Sequence, residues 1–272
     1  MLIVGAGALG APAALYLSGA GVGCVGIMDA DEVSLSNLHR QITHTADRIG
    51  RNKAESAKQA MLALNDRIRV RTYAEYLTPE NADEIIRGYD FVIDAADNFE
   101  TKFLINDACV LAGVPFCHAG ILQFEGQIMT WVPGEQSCYR CIFEEIPESG
   151  LIPNCSQAGV IGALAGIVGS IQALEAVKYL LGIGELLTGR MMVFDGLTMK
   201  TRIAGFGRKN PVCRVCGSEE KLKSAGKVKS RSVKENAEEY RVEACTVFGG
   251  GSEAAAERSR EMGRTYHADD NI

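Results

Sequence analysis

The feature that most restricts the fold is a glycine-rich segment close to the N-terminus. The apolar run Leu2–Val4 leads into GAGALG at residues 5–10, and the stretch after it has the apolar content of a buried helix. Glycines between a strand and a helix allow a tight turn and let backbone N–H groups approach a phosphate at the helix N-terminus. We therefore predict a nucleotide-binding turn. The residues expected to border the ligand are Gly5, Gly7, Ala8 and Gly10.

Strand-like and helix-like segments alternate through the first two thirds of the chain, which predicts a parallel Rossmann-like sheet with helices on both faces. Predicted strands are Val22–Met28, Ile68–Tyr73, Phe91–Ala95 and Pro115–Ala119. Predicted helices are Asn52–Leu64, a helix that starts at Thr78 as N-cap, and Thr101–Leu111. The cleaner alternation of Gln127–Val132 indicates that the α/β sheet continues in antiparallel strands.

A long helix over about 157–181 and strands near Met191–Phe194 and Thr201–Phe206 complete the predicted domain, residues 1–217. Residues 218–272 differ in composition, because they are rich in charge and poor in Leu, Ile, Val and Phe. Such a segment is too polar to form its own core, so we predict a disordered or loosely helical tail.

Composition argues against several classes of partner. The formal net charge is −6, from 28 basic and 34 acidic residues, and gives no reason to expect nucleic acid or an anionic membrane surface. The longest uncharged apolar stretch, Ala158–Ile171, has 14 residues, whereas a membrane-spanning helix needs about 20. The N-terminus lacks the basic flank of a signal peptide. We therefore expect a cytoplasmic protein without a membrane anchor.

A carboxylate follows the second predicted strand. Asp29 ends Val22–Met28, where an acidic side chain can hydrogen-bond ribose hydroxyls. With the glycine segment alone, NAD would be the default ligand. Asn37, Arg40 and Gln41 follow closely, however, and they add a guanidinium and two amides beside the nucleotide.

Further charged residues are expected at the same edge of the sheet. Lys53 begins a predicted helix, and Asp97 and Asn98 follow the strand Phe91–Ala95. Strand ends of such a sheet converge on one crevice. A guanidinium, an ammonium and a carboxylate there suit attack on a phosphoryl group, because cations stabilise its oxygens and a carboxylate can hold Mg²⁺. Solvated surface charges, or a helix cap in the case of Asp97, are the alternatives.

Two CxxC pairs predict a metal site. Each pair supplies two thiolates, and four thiolates form a closed, structural Zn²⁺ site; the residues are Cys138, Cys141, Cys213 and Cys216. Cys155 lies just before the long predicted helix, where a helix N-terminus favours a thiolate nucleophile. An inert loop cysteine is the alternative for Cys155. We interpret His118, at the end of a buried strand, as a hydrogen-bonded structural histidine.

These motifs taken together resemble the ThiF/MoeB/HesA family, bacterial relatives of the ubiquitin-activating enzymes. The resemblance covers about residues 1–217 and rests on GAGALG, DADEVSLSNLHRQ, Lys53, DAADN, EGQI, CYRC, NCSQAGV and CRVC. It implies an ATP-binding domain that works as a homodimer. Such enzymes adenylylate the C-terminal glycine of a small ubiquitin-like sulfur carrier, of the ThiS or MoaD type, in thiamine or molybdopterin synthesis.

The resemblance also implies roles for individual residues. Asp29 is similar to the ribose ligand, and Asp97, with Asn98 beside it, to the aspartate that organises Mg²⁺ at the α-phosphate. The residues that resemble phosphate contacts are Asn37, Arg40 and Lys53. Cys155 matches the cysteine with which some relatives form a covalent link to the carrier.

Two other functions stay open from the sequence. One is an NAD(P)-dependent oxidoreductase built on the same glycine turn. The other is a non-catalytic member of the family that serves as a docking partner. Adenylylation of a modified tRNA nucleoside, found in related enzymes, is disfavoured because the paired CxxC motifs argue for a protein substrate.

Overall fold

The strands of this chain form one mixed sheet in a computed structural model, which describes residues 1–134, 136–147 and 159–217. Within these residues the sheet has eight strands in the order β3-β2-β1-β4-β5-β6-β7-β8. The strands are β1 Leu2–Val4, β2 Cys24–Met28, β3 Arg69–Tyr73, β4 Val92–Asp94, β5 Phe116–Leu122, β6 Glu125–Trp131, β7 Arg190–Asp195 and β8 Lys200–Gly205. The helices are α1 Gly10–Gly19, α2 Lys53–Leu64, α3 Ala82–Arg87, α4 Phe99–Ala112, α5 Tyr139–Ile142 and α6 Gly162–Leu181.

Strands β1 to β5 are parallel, and β6, β7 and β8 add to β5 in antiparallel pairs. The predicted fold class, a parallel sheet continued by antiparallel strands, is confirmed. Because the strand order reverses between β1 and β4, the carboxyl ends of these two strands open a crevice at the edge of the sheet.

Both faces of the parallel sheet are buried, which explains why its strands are apolar throughout instead of alternating. Ile3, Ile27 and Ile93 pack with α1, α2 and α6 in one core cluster. Their neighbours Leu2 and Val92 point the other way and pack with α3 and α4 in the second cluster. The two clusters hold the strand ends, and therefore the crevice, in a fixed position.

Helix α6 has the length and composition of a membrane-spanning helix, and in this structure one part of it is buried in the core, including Leu164, Ala165 and Val168. A Cβ atom at Gly169 would lie 2.3 Å from the Leu9 carbonyl oxygen, so the glycine lets α6 approach α1 closely. Gln172 Nε2 donates hydrogen bonds to the carbonyl oxygens of Asp94 at 2.8 Å and Cys117 at 3.0 Å. These bonds tie α6 to the ends of β4 and β5.

Two helices start later than predicted: α6 begins at Gly162 instead of near residue 157, and α3 begins at Ala82. Thr78 does not cap a helix with its side chain; instead its carbonyl oxygen accepts from the backbone N–H groups of Asn81 and Ala82, and α3 begins at Ala82. The Asn81 side chain accepts from the Thr78 N–H over 2.8 Å, so this turn is closed by an amide outside the helix. The predicted tail, 218–272, lies outside the described residues.

Candidate active site

A cavity of about 700 Å³ opens at the carboxyl ends of the parallel strands. Most of the predicted site residues line it, namely Gly5, Gly7, Ala8, Asp29, Arg40, Gln41, Lys53, Asp97 and Asn98. Gly10 and Asn37 do not line the cavity but shape the segments that do. Cys155 lies outside the described residues. The fold therefore brings together side chains from five separate segments of the sequence.

Glycine is required at two positions of the loop between β1 and α1. Gly5 has a φ of +105°, and a Cβ there would lie 2.5 Å from the Ala95 carbonyl oxygen. At Gly10 a Cβ would lie 1.9 Å from the Gly5 carbonyl oxygen. The helix N-cap is Leu9, whose side chain cannot accept a hydrogen bond. Pro12 has no N–H group and the Ala11 N–H donates to the Gly7 carbonyl oxygen over 2.9 Å, so among the first three residues of α1 it is the Gly10 N–H that can serve an anion.

Asp29 fastens the end of β2 to this loop. Its Oδ2 accepts from the Ala6 N–H and its Oδ1 from the Asp31 N–H, both over 2.9 Å. Burial raises the pKa of Asp29, although the nearby Lys53 ammonium and the two N–H groups oppose the rise. Each carboxylate oxygen keeps a lone pair for a further donor, so Asp29 can hold the loop and a ribose hydroxyl at once.

Lys53 is the first residue of α2, and its ammonium donates to Asp31 Oδ2 over 2.7 Å. Tyr76 donates from its hydroxyl to Asp31 Oδ1 over 2.7 Å. Asn52 caps α2 by accepting from the Glu55 N–H, and its amide donates to the Asp29 carbonyl oxygen over 2.8 Å. Asp31 and Tyr76 were not among the predicted site residues, although both follow the carboxyl ends of predicted strands, as the predicted site residues Asp29 and Asp97 do.

In the segment after β2, a 3₁₀ helix over Leu35–Asn37 is followed by a turn that leads through Arg40 to Gln41. The Asn37 carbonyl oxygen accepts from the backbone N–H groups of both residues, so Asn37 shapes the turn. Arg40 Nη1 donates to the Ser36 carbonyl oxygen at 3.0 Å. Gln41 is buried against Gly7, and its Oε1 has no hydrogen-bond partner among the described residues. This buried acceptor is available to a hydrogen-bond donor from a ligand in the cavity.

Asp97 and Asn98 have different surroundings at the start of α4. Asn98 is the helix cap, since its Oδ1 accepts from the Thr101 N–H over 2.8 Å. The Asp97 carboxylate is exposed to the cavity and has no hydrogen-bond partner in the described part of the chain. Its alternative interpretation as a helix cap is therefore wrong, and its oxygens are available to a cation.

A buried ionic cluster forms the floor of the cavity. Lys102, which lines the cavity, donates to Asp94 Oδ1 at 3.3 Å and to the Ala119 carbonyl oxygen at 2.5 Å. His118 Nδ1 lies 2.7 Å from Asp94 Oδ2, which confirms a hydrogen-bonded structural histidine. Burial raises the pKa of Asp94, but Lys102 and His118 outweigh it and hold that pKa below its usual value. Asp94 and Lys102 were not among the predicted site residues, because Asp94 ends an apolar strand and Lys102 shares its helix with two other charged residues, Glu100 and Asp107.

The four predicted metal ligands come together. Their Sγ atoms all lie within 4.8 Å of one another, and the separations are 3.8 Å for Cys138–Cys141, 3.8 Å for Cys138–Cys213 and 3.3 Å for Cys141–Cys216. Four thiolates around a tetrahedral Zn²⁺ lie about 3.8 Å apart, given Zn–S bonds of about 2.3 Å. The cluster therefore could hold a metal ion of this kind.

The cysteine cluster is joined to the floor of the cavity through α5. Tyr139, next to Cys138, packs its ring 4.3 Å from the His118 ring, and its backbone N–H donates to Asn106 Oδ1 over 2.9 Å. Arg140 binds both carboxylate oxygens of Asp107, at 2.6 and 2.7 Å. Since Asn106 and Asp107 lie on α4, the cluster stabilises the helix that begins at the Asp97 end of the cavity.

Fold and site together define an α/β protein with a Rossmann-like sheet, a glycine-loop cavity at its carboxyl edge and a four-cysteine cluster. The ThiF family model matches residues 1–215. A sulfur carrier protein adenylyltransferase of Thermus thermophilus is 47% identical over 224 residues, covering 80% of this chain and 82% of that protein. The chain belongs to the ThiF family, so the resemblance seen in its motifs is confirmed.

Two further comparisons are informative. Adenylyltransferase and sulfurtransferase MOCS3 of Drosophila persimilis is 44% identical over 219 residues, which are 80% of this chain and 49% of MOCS3. The chain thus spans about half the length of MOCS3. A crystal structure of E. coli MccB with ATP matches with a TM-score of 0.70 at 24% identity, over 80% of this chain and 66% of MccB. That likeness shows the fold alone.

Proposed function

We propose that this chain is an adenylyltransferase that activates the C-terminal glycine of a small ubiquitin-like sulfur carrier, of the ThiS or MoaD type, with ATP. The observation that carries the proposal is the convergence of Arg40, Lys53 and Asp97 on one cavity beside the glycine loop. Two cations and a carboxylate there match the needs of phosphoryl chemistry. The names of the relatives agree with this reaction.

ATP fits the cavity by the chemistry of its walls. The Gly10 N–H at the start of α1 can donate to a phosphate oxygen, and Asp29 retains acceptor capacity for the ribose. Gln41 presents a buried acceptor that has no donor within residues 1–134, 136–147 and 159–217. An NAD(P) oxidoreductase would need the ribose contact of Asp29 but not the cations Arg40 and Lys53 in the same cavity. Lys53 and the match to the ThiF family therefore favour ATP as the nucleotide.

In the proposed reaction, a carboxylate oxygen of the carrier glycine attacks the α-phosphorus of ATP. A new P–O bond forms, the bond between the α-phosphorus and its bridging oxygen breaks, and pyrophosphate leaves with the electron pair. Arg40 and Lys53 stabilise the negative charge on the phosphate oxygens, and the chain acts mainly by positioning.

Two metal ions belong to the proposal. Asp97 would hold Mg²⁺, a hard cation that prefers oxygen ligands and neutralises phosphate charge when bound. Zn²⁺ would occupy the cluster of Cys138, Cys141, Cys213 and Cys216 and stabilise the fold without taking part in the reaction, because four thiolates close its coordination sphere. Metal analysis of the purified chain by mass spectrometry tests this assignment, with about one zinc per chain expected for a four-thiolate site.

Further parts of the proposal rest on the family resemblance. We infer a homodimer in the cytoplasm that serves thiamine or molybdopterin synthesis. Cys155 stays a prediction, as the residue that would take up the activated carrier covalently. Light scattering of the full chain tests the dimer, and mass spectrometry of a carrier adduct in wild type and Cys155→Ser tests the cysteine.

Exchange of labelled pyrophosphate into ATP, with candidate carriers and the full chain, tests the reaction directly. We expect carrier-dependent exchange that falls on the order of 100-fold or more in Asp97→Asn, because the metal-binding charge is lost while the shape is kept. Asp66→Asn, at an exposed aspartate outside the cavity lining, is the matched control. Full exchange in Asp97→Asn would contradict the role of Asp97, and tight binding of NAD(P) without ATP would favour the oxidoreductase.

A further inference from the structure

Tyr76, Asp31 and Lys53 form a hydrogen-bonded chain along one wall of the cavity. The Tyr76 hydroxyl and the Lys53 ammonium each donate over 2.7 Å to a different oxygen of the Asp31 carboxylate. Tyr76 follows β3, Asp31 follows β2, and Lys53 is the first residue of α2. Three elements that are distant in sequence thus meet at one carboxylate.

We propose that Tyr76 is a positioning residue for adenylyl transfer: it holds the Asp31 carboxylate, which in turn fixes the Lys53 ammonium beside the phosphates of ATP. The role in the reaction rests on the proposed function, whereas the hydrogen-bonded chain rests on geometry alone. Tyr76 is 64% exposed, so core packing does not fix its ring. Its hydroxyl contact with Asp31 is what places it at the cavity.

Lys53 needs such an anchor because an ammonium on a four-carbon stem is flexible. Among the described residues its Nζ donates only to Asp31, which leaves two of its three donors for a ligand. The Asp31 side chain is 51% exposed and can rotate into water if nothing holds its second oxygen. Rotation of Asp31 would move the ammonium, and a displaced charge stabilises a transition state less well.

The protonation states agree with this arrangement. The hydrogen bond from Lys53, assisted by the one from Tyr76, holds the pKa of Asp31 below its usual value. The hydrogen bond to Asp31 raises the pKa of Tyr76, so the hydroxyl stays protonated and continues to donate at neutral pH.

Tyr76→Phe removes the hydroxyl and keeps the ring. We expect kcat for carrier-dependent pyrophosphate exchange to fall about three- to tenfold, the range of an ordinary net hydrogen bond, because Asp31 is half-exposed; KM for ATP should change little. Tyr16→Phe is the matched control, since Tyr16 lies on α1, is 63% exposed and is not a lining residue of the cavity. A Tyr76→Phe enzyme with the kinetics of Tyr16→Phe would overturn the proposal.

A double-mutant cycle with Asp31→Asn tests the route of the effect. If Tyr76 acts through Asp31, Tyr76→Phe reduces kcat in the wild-type background and has no further effect in the Asp31→Asn background. Fully additive losses in kcat would mean that Tyr76 acts on the nucleotide by another route, and they would overturn the proposal as stated.

A titration separates this inference from the proposed function. ¹³Cζ-tyrosine NMR of the full chain follows the ionisation of Tyr76, with the resonance assigned from its loss in Tyr76→Phe. We expect a raised pKa in the wild type and a return toward the ordinary value in Asp31→Asn. Absence of pyrophosphate exchange in the wild type would refute the proposed function, whereas an identical Tyr76 titration in Asp31→Asn would refute the hydrogen-bonded chain.

Discussion

Two lysine–aspartate pairs border the same cavity, and they differ in how much water reaches the aspartate. Both lysine side chains are 8% exposed. At the rim, Lys53 pairs with Asp31, which is 51% exposed; at the floor, Lys102 pairs with Asp94, which is fully buried. A solvated carboxylate can share its cation with a ligand, whereas a buried one cannot lose its partner without a large desolvation penalty. The cavity thus has an adaptable cation at the rim and a fixed one at the floor.

The largest effect is expected from breaking the floor pair. Lys102→Met leaves the Asp94 charge buried without its cation, and we expect the free energy of unfolding to fall by about 3–5 kcal/mol. Urea denaturation followed by circular dichroism measures the loss. Lys102→Met combined with Asp94→Asn is the control, because removal of both charges should restore part of the stability. Equal midpoints for Lys102→Met and wild type would contradict a fixed floor pair.

The opposite pattern is expected at the rim. Lys53→Met should change the free energy of unfolding by less than about 1 kcal/mol, because a half-solvated ion pair contributes little. In the same variant we expect the rate of pyrophosphate exchange to fall on the order of 100-fold, because the cation at the phosphates is lost. Lys58→Met, on the same helix and outside the cavity lining, is the control. A large loss of stability with retained exchange would reverse the assignment of the two pairs.

A smaller effect concerns the histidine of the floor. Burial lowers the pKa of His118 below its ordinary value of about 6.5, although Asp94 opposes the shift. Between the pKa of His118 in the folded chain and its higher pKa in the unfolded chain, the unfolded chain binds more protons. The contribution of His118 to the free energy of unfolding is therefore complete above about pH 6.5 and declines as the pH falls toward the pKa of the folded chain. We expect chemical denaturation from pH 7.5 to 5.5 to show a shallower decline in His118→Gln than in wild type. Parallel curves would contradict this.

Local patterns explain most of what could be predicted from the sequence. GAGALG after an apolar run fixes the turn at Gly5, and parallel strand order then places Asp29 and Asp97 at one edge. The two CxxC pairs predict a shared cluster because thiolates at that spacing have few other uses in a chain of this kind. Each of these predictions needs only a short sequence motif and the rule that the carboxyl ends of parallel strands meet at one edge of the sheet.

The missed residues depend on contacts that no short window contains. Asp31 and Tyr76 meet because β2 and β3 are neighbours, and a charge in a loop does not reveal its partner. Lys102 is one of three charged residues of α4, with Glu100 and Asp107, so its pairing with Asp94 becomes visible only in the packed structure. The start of α3 was predicted too early because Thr78 has the residue type of a cap, while Asn81 closes the turn.

The glycine loop has a consequence for anyone who wishes to evolve this protein in the laboratory. Gly5 and Gly10 face each other so closely that a single methyl group at Gly10 would collide with main-chain atoms. At Gly7 the same methyl group would meet only the Gln41 amide nitrogen, at 3.5 Å, an ordinary contact distance. Mutant libraries aimed at a new nucleotide preference should therefore vary Gly7 and Ala8 and leave the codons of the other two glycines untouched.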